Sequence, residues 1–191
     1  PYAAANLDRA RPDLVVVGNA AARTNPEAAA VVERDLPYTS MPEAIHQLFI
    51  RGKHSVVVTG THGKTTTTSL MAWILEAAGR DPSLVVGGIP LNFNHNFKLG
   101  GGEHFVIEGD EYNTAFFDKG PKFLHYRANS RLLNNIEFDH ADIYDSLEAI
   151  IAAFRAAVQQ LGAGGAAIAN GDDPLVMALR ADSRAPWITF G

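Results

Sequence analysis

The chain has 191 residues, of which 47% are hydrophobic and 19% charged, and its net charge is −5. This composition is typical of a globular protein of one large or two small domains. It gives no indication of a nucleic-acid or membrane-surface partner. The absence of cysteine excludes disulfides and cysteine-ligated metal, and no apolar run approaches the roughly 18 residues of a membrane span. We therefore expect a cytoplasmic protein with small-molecule partners, of an oligomeric state that the composition leaves open.

Residues 1–52 predict a β-α-(β)-α arrangement that belongs to a doubly wound sheet. The apolar run at 13–18 ends in glycine, which is typical of a buried parallel strand. Asn25 precedes a proline and so predicts the N-cap of a helix over 24–35. In the segment 40–43, serine and glutamate stand three positions apart and form a capping box that opens the next helix.

The rest of the chain, residues 53–191, alternates strand-like and helix-like patterns. This alternation predicts an α/β fold, a mainly parallel sheet with helices on both faces. The predicted strands are 54–59, 83–88, 104–108, 122–126, 130–135, 165–170 and 187–190. The polar, glycine-rich run at 92–102 predicts a surface loop between two of them.

Two long helices are predicted in this part of the chain. The first follows residues 59–66 and carries Leu70, Ile74 and Ala77 at helical spacing, typical of a face packed on a sheet. The second runs over 147–161, where apolar residues recur with a period of 3.6. A glycine follows each pattern, as expected at a helix C-terminus.

The segment "TGTHGKT", residues 59–65, lies between an apolar strand and a helix, as a phosphate-binding loop does. Gly60 and Gly63 let the backbone turn tightly, and the free N–H groups of the helix N-terminus favour phosphate. Lys64 can reach terminal phosphates, and Thr65 can offer a hydroxyl to Mg²⁺. The candidate nucleotide-binding residues are Gly60, Thr61, His62, Gly63, Lys64, Thr65 and Thr66.

This loop departs from the generic motif G-x-x-x-x-G-K-[ST], because Val58 stands where that motif has its first glycine. The alternative interpretation is a glycine turn that merely begins a helix. The sequence G-K-T directly after an apolar run favours a phosphate loop of a variant form.

Acidic residues follow the apolar part of the strand predicted at 104–108. Glu108 is the first of them, and a carboxylate held at a rigid strand end beside a phosphate loop suits a Mg²⁺ ligand. Asp110 and Glu111 are interpreted as groups around the metal or as surface charges. Without the phosphate loop, all three would be predicted as solvated loop acids.

A second polar cluster, after the strand predicted at 130–135, contains Glu137, Asp139, His140 and Asp142. Mg²⁺ prefers oxygen ligands, so chemistry alone favours Asp139 or Asp142 as a ligand here. On the same grounds His140 is equally consistent with a residue that begins a helix or makes a hydrogen bond.

The loop T-G-T-x-G-K-[ST] resembles that of the Mur ligase family, the ATP-dependent, amide-forming enzymes of peptidoglycan synthesis. In this family the first glycine stands nearer to the lysine. The segments "EGDEYNTAFFDK" and "LLNNIEFDHADIYDSL" strengthen the resemblance. It implies ATP and Mg²⁺ as cofactors, with Lys64 on the β- and γ-phosphates and with Thr65 and Glu108 on one Mg²⁺. It also implies His140 on a second Mg²⁺, which overrides the preference for an aspartate.

The same resemblance implies that His62, Asn135 and Glu137 line the acyl-substrate or phosphate region. The wider match is with the branch of the family that recycles peptidoglycan peptide. This implies UDP-N-acetylmuramate and the murein tripeptide L-Ala-γ-D-Glu-meso-diaminopimelate as substrates, joined through an acyl phosphate. Three alternatives remain: a UDP-N-acetylmuramate–L-alanine ligase, another Mur or folylpolyglutamate-type ligase, or a non-catalytic nucleotide-binding module.

Members of this family have three domains, which bind the UDP-sugar, ATP and the incoming amine. The resemblance implies that residues 1–52 are the C-terminal part of a Rossmann-like, UDP-sugar-binding domain. It implies that residues 53–191 are the ATP-binding domain, incomplete at its C-terminus. Because the chain begins at Pro1 and stops at Gly191 within this pattern, we expect a piece of a longer enzyme that does not catalyse ligation by itself.

Overall fold

The computed structural model of the protein describes residues 1–138 and 144–191. In chain order the elements are α1 (Ala5–Ala10), β1 (Val15–Val17), α2 (Pro26–Glu33), β2 (Tyr38–Ser40), α3 (Met41–Ile45), β3 (His54–Thr59), α4 (Lys64–Ala77), β4 (Ser83–Val85), β5 (Phe97–Lys98), β6 (His104–Glu108), β7 (Asn113–Ala115), β8 (Asp118–Pro121), β9 (Ser130–Leu133), α5 (Leu147–Gln159), β10 (Ala166–Asn170), α6 (Pro174–Ala178) and β11 (Trp187–Phe190). A π-helical turn, His46–Ile50, continues α3, and 3₁₀ turns cover Lys122–Leu124 and Leu179–Asp182. No helix among the described residues is long and apolar enough to cross a membrane.

A seven-stranded sheet forms the centre of the fold, in the order β11-β10-β9-β3-β6-β4-β5. All neighbouring strands are parallel except the short pair β4 and β5, so the predicted mainly parallel sheet is confirmed. Thr59 at the end of β3 is level with Leu133 on β9, and Val58 is level with Glu108 on β6. The carboxyl ends of these three strands therefore lie side by side, where ligands bind in sheets of this kind.

Apolar layers cover both faces of this sheet, because successive strand residues point to opposite sides. One layer packs alternate residues of the central strands against α5. Its members include Val57, Ile107, Leu133, Ile150, Phe154 and Val158. The other layer packs the intervening strand residues against α4. Its members include Val56, Leu84, Val106 and Ala72. Helices thus lie on both faces, as predicted.

The N-terminal part has the predicted β-α-β-α order, and within the described residues β1 and β2 form a separate two-stranded parallel sheet. Both predicted N-caps are confirmed, since Asn25 accepts hydrogen bonds from two N–H groups of α2 and Ser40 accepts one from Glu43. The capping box is only half formed, because the Glu43 carboxylate contacts Gln47 and His125 instead. Glu43 also pairs with His125, at 3.1 Å between Oε2 and Nδ1, across the boundary proposed after residue 52. The division into domains at that boundary stays a prediction.

Two segments differ from their sequence-based prediction. Residues 122–126 form a 3₁₀ turn, Lys122–Leu124, followed by a further turn instead of a strand, because the buried side chains of Phe123 and Tyr126 stand three positions apart, which suits a helical turn. The predicted loop at 92–102 contains the short strand β5, which pairs antiparallel with β4. Lys98 of β5 holds this pairing in place through ion pairs with Glu76 and Asp81.

Helix α4 packs with a face other than the predicted one. Leu70 and Ile74 are 57% and 53% exposed, whereas Thr68 and Ala72 are buried against the sheet. Helix α4 begins directly after Gly63, at the end of the loop. Small buried side chains let the helix approach the sheet closely, and this brings its N-terminus beside the strand ends.

Arg131, on β9, is fully buried on the face of the sheet that α5 covers. Its Nη2 donates to the carbonyl oxygen of Phe123 at 3.3 Å, and its guanidinium lies 5.5 Å from the centre of the Phe123 ring. Among the described residues, its Nε and Nη1 have no hydrogen-bond partner. Burial lowers the pKa of Arg131 to about 9. The charged form is therefore held in the core at a cost to stability.

Replacing Arg131 by Met is expected to raise the free energy of unfolding by about 1 kcal/mol, because an apolar chain of similar length removes a poorly compensated buried charge. Urea denaturation of both proteins measures the difference. Arg184→Met, at an exposed position, is the matched control and should leave stability unchanged. A less stable Arg131→Met protein would show that the contacts with Phe123 outweigh the burial cost.

Candidate phosphate-binding site

The loop between β3 and α4 turns on two glycines with positive φ, at +144° for Gly60 and +78° for Gly63. A Cβ on Gly60 would lie 2.8 Å from the Cβ of Asn134, closer than any side chain tolerates. Glycine is therefore required at position 60 for conformation and for space. Gly63 immediately precedes α4, so the unpaired N–H groups of the first helical turn open onto the loop.

Lys64 curls back over this loop instead of extending into solvent. Its Nζ donates to the carbonyl oxygens of Gly60 at 2.8 Å and Thr61 at 2.9 Å, and to Oε1 of Glu111 at 2.9 Å. The side chains of Lys64 and Glu111 are 13% and 6% exposed, so this is a largely buried ion pair. The lysine charge is thereby fixed at the mouth of the loop.

Thr65 and Glu108 form a hydroxyl–carboxylate pair beside the lysine. The Thr65 Oγ1 lies 2.9 and 3.1 Å from the two carboxylate oxygens of Glu108. The N–H of Gly87, in the loop after β4, donates to Glu108 Oε2 at 2.7 Å and so orients the carboxylate. All these ligand atoms are oxygens, which suit a hard cation, and the residues therefore fit Mg²⁺.

The predicted second metal ligand, His140, lies outside the described residues, and so do Asp139 and Asp142. Within residues 1–138 and 144–191, no three histidine, cysteine or acidic side chains are close enough to hold a metal ion. The candidate cation ligands that the structure describes are thus Thr65 and Glu108.

The strand end of β9 closes one side of the loop through Asn134. Its Nδ2 donates to the carbonyl oxygen of His62 and to Oγ1 of Thr67, both at 3.2 Å. Its backbone N–H donates to the carbonyl oxygen of Thr59 at 2.9 Å. One asparagine therefore links the start of the loop, its tip and the first turn of α4.

Residues 135–137, which follow Asn134, also form hydrogen bonds with the loop, and they include two of the predicted substrate positions. The N–H of His62 donates to Oδ1 of Asn135 at 2.8 Å, and the N–H of Glu137 donates to Oγ1 of Thr61 at 2.8 Å. His62 Nε2 lies 3.8 Å from Glu137 Oε2, and both side chains are more than half exposed. The three positions predicted to line the substrate region, 62, 135 and 137, thus lie together at the edge of the loop.

The cleft over the loop has a volume of about 320 Å³. Its lining residues are Thr61, His62, Gly63, Lys64, Thr65, Thr66 and Glu108. The structure therefore brings these loop residues together with Glu108, which lies 42 to 47 positions further along the chain. A cleft lined by a helix N-terminus, a lysine and hydroxyl groups suits a polyphosphate.

Tyr144 and Tyr126 lie near the acidic residues at the end of β6 and after it. The hydroxyl of Tyr144 donates to the carbonyl oxygen of Glu111 at 3.0 Å. Burial, followed by the negative charges of Glu111 and Asp110, raises the pKa of Tyr144 to about 12. The same causes, with Asp110 and Glu108 as the charges, raise the pKa of Tyr126. Both tyrosines therefore remain protonated to a higher pH than an exposed tyrosine does.

Sequence reasoning did not identify three residues that build this site. The sequence is consistent with Glu111 as a group around the metal or a surface charge, does not distinguish Asn134 from its neighbours, and places Gly87 within a predicted strand. The pair "NN" at 134–135 and the pair "GG" at 87–88 were signals of polar or close backbone contacts at strand ends. Neither pair indicates by itself which loop it contacts.

A parallel sheet with a glycine loop after its central strand, and a lysine and a hydroxyl residue at the head of the next helix, defines a phosphate-loop α/β domain. Residues 58–191 match the model of the Mur ligase middle domain. The chain belongs to the Mur ligase family.

Two curated relatives are named UDP-N-acetylmuramate–L-alanyl-γ-D-glutamyl-meso-2,6-diaminoheptandioate ligase. The one from Escherichia coli K12 is 50% identical over 78% of this chain, and the one from Haemophilus influenzae is 44% identical over 90%. The chain spans 32% and 38% of their respective lengths, about one third. Relatives named UDP-N-acetylmuramate–L-alanine ligase are less similar; those from Endomicrobium trichonymphae and Methylobacterium sp. 4-46 are 36% and 40% identical.

Two solved structures with related names are also similar to this chain. A UDP-N-acetylmuramate:L-alanyl-γ-D-glutamyl-meso-diaminopimelate ligase from Neisseria meningitides superposes with a TM-score of 0.94 at 39% identity, over 100% of this chain and 62% of that one. A murein peptide ligase from Psychrobacter arcticus superposes with a TM-score of 0.86 at 37% identity, over 98% of this chain and 42% of that one.

Proposed function

We propose that the full-length gene product is an ATP-dependent ligase that joins L-Ala-γ-D-Glu-meso-diaminopimelate to UDP-N-acetylmuramate in peptidoglycan recycling. The similarity supports the tripeptide over L-alanine, because two relatives named for the tripeptide are 44% and 50% identical, whereas six relatives named L-alanine ligase are 36% to 40% identical. Since the chain spans about one third of those relatives, the proposal concerns the whole enzyme.

The observation that carries the proposal is the convergence of Lys64, Thr65 and Glu108 at the open N-terminus of α4. In the proposed reaction, the lactyl carboxylate of UDP-N-acetylmuramate attacks the γ-phosphorus of ATP, and ADP leaves. The amine of the tripeptide then attacks the acyl phosphate, an amide forms, and inorganic phosphate leaves. Such transfers depend on positioning and charge neutralisation more than on protein nucleophiles.

Each residue has a defined part in this proposal. The helix N-terminus and Lys64 bind the β- and γ-phosphates and offset the charge that develops on them. Thr65 and Glu108 would hold one Mg²⁺ and His140 a second, and each ion would neutralise phosphate charge when bound. Positions 62, 135 and 137 would orient the acyl substrate, since they lie at the edge of the loop nearest β9.

The test uses the full-length gene product with ATP, Mg²⁺, UDP-N-acetylmuramate and either the tripeptide or L-alanine. Phosphate release and mass spectrometry of the product measure the rate with each amine. We expect the tripeptide to be preferred by at least tenfold in kcat/KM, about 1.4 kcal/mol in transition-state binding. A preference for L-alanine would support the L-alanine ligase instead. Nucleotide binding without turnover of either amine would support a non-catalytic module.

A further inference from the structure

The ammonium group of Lys64 has three N–H donors, and the structure gives each an acceptor. Two are the loop carbonyls of Gly60 and Thr61, and the third is the carboxylate of Glu111. An ammonium offers three donors and no more. A phosphate oxygen can therefore be added to Lys64 only if one of these acceptors leaves.

The two carbonyl acceptors are fixed parts of the loop. Gly60 lies against Asn134 without space for a side chain, and the N–H of Thr61 donates to the carbonyl oxygen of Asn135 at 3.0 Å. Moving either carbonyl would break the contact between the loop and β9. The carboxylate of Glu111 is the one acceptor on a separate, rotatable side chain, and like-charge repulsion would drive it from an arriving phosphate.

The backbone at Glu111 is held in place by its neighbours, so the movement falls to its carboxylate side chain. Asp110 pairs with Lys122 at 2.6 Å between Oδ2 and Nζ, and its carbonyl oxygen accepts from the N–H of Phe123. The hydroxyl of Tyr144 donates to the carbonyl oxygen of Glu111. With a side chain only 6% exposed, Glu111 is a built element of the site and not a solvated surface acid.

We propose that Glu111 is a positioning residue whose carboxylate occupies on Lys64 the place that a phosphate oxygen takes when nucleotide binds. In the nucleotide-free protein it keeps the lysine folded over the loop. Nucleotide binding exchanges the carboxylate for phosphate on the same ammonium. Glu111 therefore lowers nucleotide affinity, because the phosphate must displace an existing charge-assisted hydrogen bond. This inference rests on the proposed nucleotide site.

The test is a double-mutant cycle on the full-length gene product, with the Kd of Mg·ADP measured by calorimetry. Glu111→Gln keeps the shape but removes the charge, and we expect it to tighten Mg·ADP binding by about 3- to 10-fold. In a Lys64→Ala background the same change should alter Kd by less than about twofold, because no ammonium remains for which the two anions compete. Glu33→Gln, at an exposed position, is the matched control and should bind like wild type.

Each other outcome has a definite meaning. Weaker or unchanged binding by Glu111→Gln would overturn the exchange. Equal tightening in both backgrounds would overturn it too, because the effect would then be general repulsion between the acid and the nucleotide. These failures leave the proposed nucleotide site intact, since wild type still binds. If wild type and every variant fail to bind Mg·ADP, both the site assignment and the exchange are refuted.

Discussion

Lys64→Ala is expected to weaken Mg·ATP binding by at least tenfold, about 1.4 kcal/mol or more, since hydrogen bonds to charged groups contribute about 1.5 to 3 kcal/mol. The side chain that is lost is already held at the mouth of the loop by two backbone carbonyls, so little ordering is needed before it meets a phosphate. Calorimetric titration of wild type and variant measures the difference. Equal affinity of the two proteins for Mg·ATP would contradict the assignment of residues 59–66 as a phosphate-binding loop.

Two controls separate binding from folding in this experiment. Lys119→Ala removes an exposed lysine from β8 and should leave Mg·ATP affinity unchanged. Lys64→Ala also leaves the buried carboxylate of Glu111 without its lysine, which lowers stability. The double variant Lys64→Ala/Glu111→Gln removes the buried negative charge and with it this loss of stability. It should bind Mg·ATP as weakly as Lys64→Ala while unfolding at a higher urea concentration.

Glu108→Gln is expected to remove most of the benefit that Mg²⁺ gives to ATP binding. The amide keeps an oxygen for the N–H of Gly87 but loses the charge that makes Glu108 a strong cation ligand. The ratio of the Kd for ATP in EDTA to the Kd in excess Mg²⁺ should fall by about tenfold relative to wild type, since one charged ligand is lost. Affinity without Mg²⁺ should not fall.

The matched control for this variant is Glu103→Gln, which changes an exposed acid at the other end of the same strand region. It should keep the wild-type response to Mg²⁺. If Glu108→Gln also keeps that response, Glu108 is not a Mg²⁺ ligand, and its role is limited to orienting Thr65 and the loop after β4.

Local pattern was sufficient to predict the centre of the fold. The strand before the loop, the loop and the start of α4 follow from an apolar run, two glycines and a lysine–threonine pair, because these features act over a few residues. The caps at Asn25 and Ser40 were predictable for the same reason. The family resemblance then supplied residue roles that spacing alone left open.

The predictions from the sequence fail where contacts between distant parts of the chain determine the structure. The buried face of α4 is set by how closely the helix approaches the sheet, so Thr68 and Ala72 are chosen over the larger Leu70 and Ile74. Glu111 lies 47 positions from Lys64 in the sequence. Their pairing depends on the parallel register of β3 and β6, which no local pattern contains.

The contacts of Asn134 and Asn135 join the candidate phosphate loop and the positions proposed to orient the acyl substrate into a single mechanical unit. The loop cannot shift without moving residues 134–137, and the reverse also holds. A displacement of about 1 Å in such a reaction can cost about 100-fold in rate. Attempts to alter recognition of the acyl substrate through residues 134–137 would therefore also change phosphate placement. Positions that do not contact the loop offer a freer route to altered selectivity.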